Sequence, residues 1–411
     1  MWQAILDRML RALMRRGSLV VHYPGGRIGR YGAQEDGVAT PAIHLRDDET
    51  VRRIVVAPQL AFGEAYMDGA LTIDGDDLHG LMRSIVLNTG AADPTGWLAA
   101  RRLVTRALRR FGQINRREAA QANVAHHYDL PPALYDLFLD ADRQYSCAYF
   151  RTPGDTLDQA QAQKKAHIAA KLLIRPGMRV LDIGCGWGGL ALTLARDHGA
   201  RVVGITLSEE QLAAARRRAR EAGLEAQVKF RLQDYREVAE TFDRVVSVGM
   251  FEHVGLPNYD AYFRTVHDRL AEGGVALIHM IGRAGRPEAT NPWIAKYIFP
   301  GGYVPALSDV AAPIERSRLR IADLECLRLH YAMTLRHWHD RFAARESEAE
   351  AMNDARFVRM WKFYLVASEQ TFRHGRQDVF QFQLSRGVDA VPITRDYLYR
   401  DEAMATRQAA E

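Results

Sequence analysis

The sequence predicts an α/β protein in which helices cover both faces of a largely parallel sheet, preceded by a smaller α+β domain. Two observations carry this prediction. From residue 178 onward, short runs rich in β-branched residues alternate with helical segments, the pattern of strand–helix–strand units. Before that point the elements are shorter and interrupted by glycine. A chain of 411 residues with 47% apolar composition is long enough for two hydrophobic cores.

The smaller N-terminal domain is predicted over residues 1–97. It begins with an amphipathic helix whose arginines lie off an apolar face. That face holds Ile5, Leu6, Met9, Leu10, Leu13 and Met14. The runs "SLVVHY" and "RIGRYG" flank the turn residues "PGG" and predict a hairpin. A helix is expected near 77–88, and "TGAADPTGW" (89–97) is the expected boundary.

A basic amphipathic helix is predicted over residues 98–118. The stretch "LAARRLVTRALRRFGQINRRE" holds seven arginines against one acidic residue, with apolar residues at helical spacing. Two interpretations stay open. The arginines form either the solvated face of an interdomain connector or a contact with an anionic surface.

The larger domain is predicted over residues 119–395, followed by a charged tail at 396–411. Its strand runs are "MRVLDIG" (178–184), "ARVVGIT" (200–206), "QVKFRLQ" (227–233), "DRVVSVG" (243–249) and "GVALIHMI" (274–281). Helices are expected near 190–198, 208–222 and 259–271. A helical region at about 334–374 and a last strand, "VFQFQLS" (379–385), complete the domain.

Charge and composition limit the class of protein. A net charge of +5, from 55 basic against 50 acidic residues, is too small to indicate a nucleic-acid partner. No run approaches the about 18 apolar residues that span a bilayer, and charged residues interrupt the N-terminal apolar positions. Cys147, Cys185 and Cys326 lie far apart, which predicts neither disulfides nor a metal site. We therefore expect a cytoplasmic protein that meets a membrane only from the side.

A glycine-rich turn in "VLDIGCGWGGLAL" (180–192) predicts a ligand site at a helix N-terminus. Gly184, Gly186 and Gly189 also fit the dinucleotide pattern G-x-G-x-x-G, so a nicotinamide cofactor and a purely structural turn stay open. Asp182 would repel a pyrophosphate and suits a cationic ligand. The acidic residue that binds a dinucleotide ribose is missing from "GITLSEEQ". Both features favour S-adenosylmethionine.

The apolar run "DRVVSVGM" (243–250) is followed by Glu252 and His253, a carboxylate next to an imidazole. Charged groups at the end of a buried strand must be compensated or functional. For Glu252, an ion pair with a nearby arginine is the structural alternative.

Six motifs, in this order, resemble the cyclopropane-fatty-acid synthases, a family that includes the mycolic acid methyltransferases. They are "HYDLPPALYDLFLDADRQYSCAYF" (127–150), "LDIGCGWGG", "GITLSEEQ", "SVGMFEHVG", "HMIG" and "HYAMTL". The first hundred residues resemble, more weakly, the extra N-terminal domain of members that act on bacterial phospholipids. The resemblance implies a doubly wound, Rossmann-like class I S-adenosylmethionine methyltransferase fold. It also implies methyl transfer to the cis double bond of an unsaturated acyl chain in a membrane phospholipid, giving a cyclopropane ring.

The resemblance also implies a set of site residues. A bicarbonate ion would be held by Cys147, Glu252, His279, the backbone amide of Ile281, and Tyr331. The implied methyl-donor contacts, together with Asp182, are Tyr145, Ser146, Gly184, Gly186, Gly188, Thr206, Gln211, Asp234 and Tyr235. His127 and Tyr128 become candidates for lining the site, whereas His253 becomes a structural neighbour of Glu252. Without the resemblance, His279 would be interpreted as a core histidine and Cys147 as a small apolar residue.

The implied chemistry requires a closed apolar site, because water would trap the carbocation that methyl transfer leaves on the acyl chain. Aromatic faces can stabilise such a cation. The candidates are Tyr135, Phe138, Trp293, Tyr297, Phe299 and Tyr303. A phospholipid substrate would also give the basic segments 1–16 and 98–118 a role in docking on the anionic inner face of a membrane. A second copy of the chain is a further candidate partner.

Three other functions remain open at this level. The same olefin could be methylated without ring closure, as in routes to branched or furan fatty acids. The motif set is also shared with small-molecule amine N-methyltransferases. The third alternative is a non-catalytic protein that binds lipid or methyl donor.

Overall fold

The computed structural model describes residues 1–34, 37–89 and 131–399. The predicted helix at 98–118, with its arginines, lies outside the described residues, as do His127, Tyr128 and the tail from residue 400. None of the described helices is both long and apolar enough to cross a membrane.

The N-terminal part is a four-stranded sheet packed against helices. Its strands are β1 (Ser18–His22), β2 (Ile28–Gly32), β3 (Ala42–Leu45) and β4 (Leu71–Ile73), in the order β2-β1-β3-β4. Its helices are α1 (Trp2–Leu13), α2 (Asp48–Val56), α3 (Pro58–Met67) and α4 (Leu78–Thr89). The predicted hairpin is confirmed, since β1 and β2 pair antiparallel with Ser18 opposite Gly32. Leu19 and Val21 are buried on one face of β1, as the alternating pattern requires.

The larger part is a seven-stranded sheet with the order β10-β11-β9-β8-β5-β6-β7. Its strands are β5 (Arg179–Ile183), β6 (Arg201–Thr206), β7 (Val228–Leu232), β8 (Phe242–Val248), β9 (Leu270–Arg283), β10 (Arg320–Cys326) and β11 (Gln377–Ser385). The five neighbouring strands β9-β8-β5-β6-β7 are parallel to one another. Strand β11 is antiparallel to both β9 and β10. This arrangement confirms the predicted doubly wound α/β class.

Ten helices of this part are described. They are α5 (Pro132–Tyr135), α6 (Leu157–Lys171), α7 (Gly189–His198), α8 (Glu209–Glu221), α9 (Tyr259–Arg269), α10 (Pro292–Tyr297), α11 (Leu307–Arg316), α12 (Leu329–Ala344), α13 (Glu346–Met352) and α14 (Ala355–His374). The helical region expected at 334–374 therefore consists of three helices, which begin at Leu329. Strand β10 was not predicted because most of its residues are exposed or half-buried and its sequence, "RIADLEC", lacks an apolar alternation.

The two parts are joined by a polar and aromatic interface. Glu64 of α3 accepts hydrogen bonds from Lys296 and Tyr297 of α10, at 2.7 and 2.8 Å. The Trp293 indole N–H points at Met67 Sδ, 3.2 Å away. Gly63 is required at the crossing, because a Cβ there would lie 2.5 Å from the Trp293 ring. Helix α3 thereby holds the segment 292–297 in place. Residues that follow this segment pack against the site described below.

Candidate active site

A pocket lies at the carboxyl ends of β5, β6, β7 and β8, where the chain order of the sheet reverses. The loop 143–146 also lines it. Of the residues expected to contact a methyl donor, those that line the pocket are Tyr145, Ser146, Asp182, Gly184, Gly186, Thr206, Gln211, Asp234 and Tyr235.

The glycines of the loop have different roles. Gly186 has φ +53°, and a Cβ built on it meets no atom within 4 Å, so its backbone borders open pocket space. Gly188 is not among the lining residues. It caps α7 with φ +84°, and a Cβ there would lie 2.7 Å from the Phe230 ring. Gly188 therefore serves helix–sheet packing, and its contact with the methyl donor stays a prediction.

Internal partners hold the polar side chains of the pocket wall. The Thr206 hydroxyl lies 3.0 Å from Gln211 Oε1 and donates to it. Asp234 receives two hydrogen bonds from the Arg236 guanidinium, at 2.8 and 2.6 Å. These contacts fix the end of β6 and the turn after β7 before any ligand binds.

Asp182 is the exception among the polar side chains of the pocket wall that internal partners hold. Its side chain is 2% exposed, and its Oδ2 has no hydrogen-bond partner among the described residues. Burial raises the pKa of its carboxyl to about 7. A buried carboxylate without a partner at a pocket wall fits a ligand with an amine or a hydroxyl donor.

Glu252 lies just beyond β8, in a 3₁₀ turn (Phe251–His253). Its Oε1 accepts the backbone N–H of Ile281 at 2.5 Å, and its Oε2 has no partner within the described chain. Burial raises the pKa of this carboxyl to about 7. Within the described chain, Glu252 therefore contacts the backbone amide of Ile281 instead of the arginine that was considered as its partner. That amide was itself expected to hold the bicarbonate ion.

His279 lies opposite Gln381 in the β9–β11 pairing, and the Gln381 amide Nε2 is 3.0 Å from its Nδ1. The Gln381 N–H donates to Nδ1, so the imidazole proton lies on Nε2. Burial lowers the pKa of His279 to about 3, which keeps the ring neutral. His279 is thus a neutral donor held in one tautomer.

Cys147 and Tyr331 are both buried in the large hydrophobic core of the chain. The Cys147 thiol is buried, 3.3 Å from the carbonyl of Ala148, and burial raises its pKa. The Tyr331 ring packs edge-on against Trp338 and Phe372. The structure thus brings Glu252 and Ile281 into direct contact, while Cys147 and Tyr331 belong to the extended hydrophobic core on which Ile281 also packs.

His253 lines the donor pocket, a role that the sequence interpretation did not give it. Burial lowers its pKa to about 4, and its ring lies 6.1 Å from that of Phe299. Further lining residues that sequence reasoning missed include Arg143, Gln144, Gln233, Arg236, Met250 and Val254. Each lies next to or within three residues of a predicted one, so adjacency to the motifs was the available signal.

The aromatic candidates fall into two groups. Tyr135 and Phe138 pack edge-on against Tyr145 of the pocket wall, with centroids 5.6 and 6.1 Å away. Phe299 packs between His253 and Tyr364. By contrast, Trp293 and Tyr297 form the interface with α3, and the Tyr303 hydroxyl donates to Asp309.

Comparison with known proteins gives two family matches along the chain. The mycolic acid cyclopropane synthetase family matches residues 115–382, and a domain of unknown function matches residues 5–92. A probable fatty acid methyltransferase of Pseudomonas putida is 41% identical over 70% of this chain and 75% of its own length. The cyclopropane-fatty-acyl-phospholipid synthase of Escherichia coli K12 is 38% identical over 88% of this chain and 92% of its own.

A solved structure agrees with these matches. A mycolic acid cyclopropane synthase complexed with SAH and CTAB is 33% identical and has a TM-score of 0.62, covering 64% of this chain and 98% of that one.

Proposed function

The chain belongs to the mycolic acid cyclopropane synthetase family and is an S-adenosylmethionine-dependent methyltransferase. From this premise we propose that it methylates the cis double bond of an unsaturated acyl chain of a membrane phospholipid and closes a cyclopropane ring. The observation that carries the proposal is the juxtaposition of a donor pocket with a buried, half-paired carboxylate, Glu252, in the same turn as the lining residue His253.

S-adenosylmethionine supplies an electrophilic methyl group when bound. In this chain, Asp182 offers its unpaired Oδ2 to a cationic or hydrogen-bond-donating part of the donor, and Gly186 leaves room for it. Thr206, Gln211, Asp234 and Tyr235 also line the pocket. Tyr145 and Ser146 cover the pocket and orient the donor toward the acyl chain.

Bicarbonate would supply the base that takes the proton lost on ring closure. The residues present fit such an ion: Glu252 has a free Oε2, and His279 carries a donating Nε2–H. Tyr331, Cys147 and the Ile281 amide are the remaining holders. Since the Ile281 amide is bonded to Glu252, an anion that accepts from this amide must displace or share that contact.

The apolar surroundings suit a cationic acyl intermediate. Tyr135 and Phe138 are buried and Phe299 is half-buried, and aromatic faces of this kind would stabilise positive charge by about 0.5–2 kcal/mol each. Neutral His253 and His279 add no cation that would repel it.

The test is to incubate the full chain with vesicles of unsaturated phosphatidylglycerol and isotopically labelled S-adenosylmethionine, then analyse the lipid. We expect a gain of about 14 mass units with loss of the alkene protons. The same gain with alkene protons retained would establish methylation without ring closure. Label appearing only in a panel of amines would establish an N-methyltransferase. Donor binding without any product would overturn enzymatic function.

We further propose that α1 docks the protein on the anionic membrane surface. Met1, Ile5 and Met9 recur every four residues and are 87%, 38% and 36% exposed, so they form an apolar stripe, whereas Leu6 of the same helix is buried. Arg8 of this helix is exposed, and so is Arg15, two residues after the helix ends. Each cation near such a surface contributes about 1 kcal/mol.

Changing Ile5 and Met9 to serine and Arg8 and Arg15 to glutamine should weaken binding to anionic vesicles in a flotation assay. The matched control is Arg217→Gln with Arg220→Gln, two exposed arginines of α8. Equal vesicle binding by both variants would contradict docking through α1.

A further inference from the structure

Helix α6 buries a face of basic side chains. Lys164 and Lys171 are 0% exposed, and Lys165 and His167 are 9% exposed. Three of the four pair with acids outside the pocket wall: Lys165 with Asp142, and His167 and Lys171 with Glu325. Lys164 differs, because its hydrogen-bond acceptors are uncharged residues of the pocket wall.

Those acceptors are Gln144 Oε1, at 2.6 Å from Lys164 Nζ, and Ser146 Oγ, at 2.9 Å. Gln161, one turn earlier on α6, donates to the backbone carbonyls of Gln144 and Ser146, at 3.2 and 3.0 Å. The loop that covers the donor pocket is thus fixed from below by one helix.

The titratable groups around Lys164 lie on four elements. The preceding loop contributes the acids Asp140 and Asp142 and the thiol of Cys147, the helix contributes the like charge of Lys165, β5 contributes Asp182, and β9 contributes the neutral ring of His279. Burial lowers the pKa of Lys164 to about 8, while the ammonium group lowers the pKa of Asp182 against the stronger effect of burial. The negative charge of the Asp182 carboxylate is therefore partly compensated by the buried ammonium group of Lys164.

We propose that Lys164 is a positioning residue of the methyl-donor site: its buried ammonium group holds Gln144 and Ser146 in place in the pocket wall. This inference rests on the proposed function only in taking the pocket as the donor site. It adds that donor affinity depends on a charged group that does not line the pocket.

The test compares Lys164→Met with Lys171→Met, a matched loss of a fully buried lysine from the same helix. Calorimetry on the full chain, without lipid, gives the affinity for S-adenosylmethionine and for S-adenosylhomocysteine. We expect Lys164→Met to weaken both affinities about tenfold, the value of losing a charge-assisted hydrogen bond. Lys171→Met should lower thermal stability with donor affinity within about twofold of wild type.

A pH series adds a readout that a purely structural role would not change. Because Lys164 loses its charge as pH rises through about 8, the affinity advantage of the wild type over Lys164→Met should shrink above that pH. The amine of the donor titrates in both proteins and cancels in the ratio. If the ratio of wild-type to Lys164→Met donor affinity does not change between pH 6 and about 9.5, the proposal is overturned.

If Lys164→Met does not fold, Lys164→Arg keeps the proposal testable, since a guanidinium keeps its charge across this range. In the wild type, part of the decline of donor affinity with rising pH comes from the loss of charge on Lys164. The arginine variant should lack that part of the decline. An unchanged decline would overturn the inference. Absence of lipid product in the wild type would instead bear on the proposed reaction, because none of these binding measurements contains lipid.

Discussion

The two halves of the site differ in how their polar groups are paired. On the donor side, Gln211 is held by Thr206, Asp234 by Arg236 and Ser146 by Lys164. On the side of the proposed anion, within the described chain, Glu252 Oε2 and Gln381 Oε1 are buried without partners. Asp182 Oδ2 is the one predicted donor contact that shares this condition.

This difference distinguishes the residues that shape the pocket from the residues that are expected to bind a ligand. A buried polar group without a partner costs about 1–3 kcal/mol, so such a group next to a pocket is a candidate for pairing with a ligand. Paired groups shape the pocket and tolerate loss of one bond. We therefore expect substitutions at Glu252 and Asp182 to affect function far more than substitutions at paired residues.

The largest effect is expected for Glu252→Gln. Turnover of unsaturated phospholipid at saturating donor should fall about 100- to 1,000-fold, the cost of removing a group that orients charge at the reacting centre. Donor affinity should stay within about threefold, because the donor side of the site keeps its own partners. Label transfer and calorimetry measure the two quantities. Near-normal turnover would remove Glu252 from the mechanism.

The same variant has a stability signature. In the folded protein the pKa of Glu252 is raised to about 7, so between the unfolded value and pH 7 the folded state holds a proton that the unfolded state has released. Wild-type stability therefore falls as pH rises through this window. Glu252→Gln removes that loss, and its stability relative to wild type should increase from pH 4 to 8 in thermal unfolding. A constant difference would contradict burial of the carboxyl.

The second-largest effect is expected for Asp182→Asn, on the donor side. Donor affinity should fall about 10- to 100-fold, whereas turnover of bound donor should change much less. Since the pKa of Asp182 is raised to about 7, wild-type affinity should rise with pH through 7 as the carboxylate forms, and Asp182→Asn should lack this rise. Calorimetry at several pH values measures both effects. A variant with the wild-type pH profile would assign the unpaired Oδ2 to packing alone.

The sequence predicted the sheet and the glycine loop because both depend on local pattern. The five strand runs alternate with helices, and positive φ at Gly186 requires a residue without a Cβ. Strand β10 escaped prediction because an edge strand with exposed acids has no apolar periodicity. Local pattern also did not reveal the packing role of Gly188, where a Cβ would meet the Phe230 ring of a distant segment.

Pairing within the site could not be predicted for the same reason. Contacts such as Ile281 to Glu252 and Gln381 to His279 join residues 29 and 102 positions apart, and only the register of β9 with β8 and β11 brings them together. His253 was assigned a structural role because residue type alone does not give the direction of a side chain in a 3₁₀ turn. Its place in the pocket follows from the turn geometry after β8.

A smaller effect is expected for Gln381→Leu, which tests the tautomer of His279. Without the glutamine N–H, the imidazole proton is free to occupy either nitrogen, and turnover should fall about tenfold with donor affinity unchanged. Gln383→Leu is the matched control, since Gln383 is buried on the same strand but bonds to Lys171 and Tyr397. Equal turnover in the two variants would mean that His279 needs no orienting partner.

The smallest effect is expected for Thr206→Val, which removes a paired group while keeping the shape of the side chain. Gln211 Oε1 loses its donor and Ser208 N–H loses an acceptor, but both residues keep the capping bond between Ser208 Oγ and Gln211 N–H at 3.2 Å. The KM for S-adenosylmethionine should therefore rise only about threefold to tenfold, with kcat unchanged, because one neutral hydrogen bond contributes about 1 kcal/mol. An effect as large as that of Asp182→Asn would show that paired groups are as sensitive as unpaired ones. The contrast between the two halves of the site would then have no functional meaning.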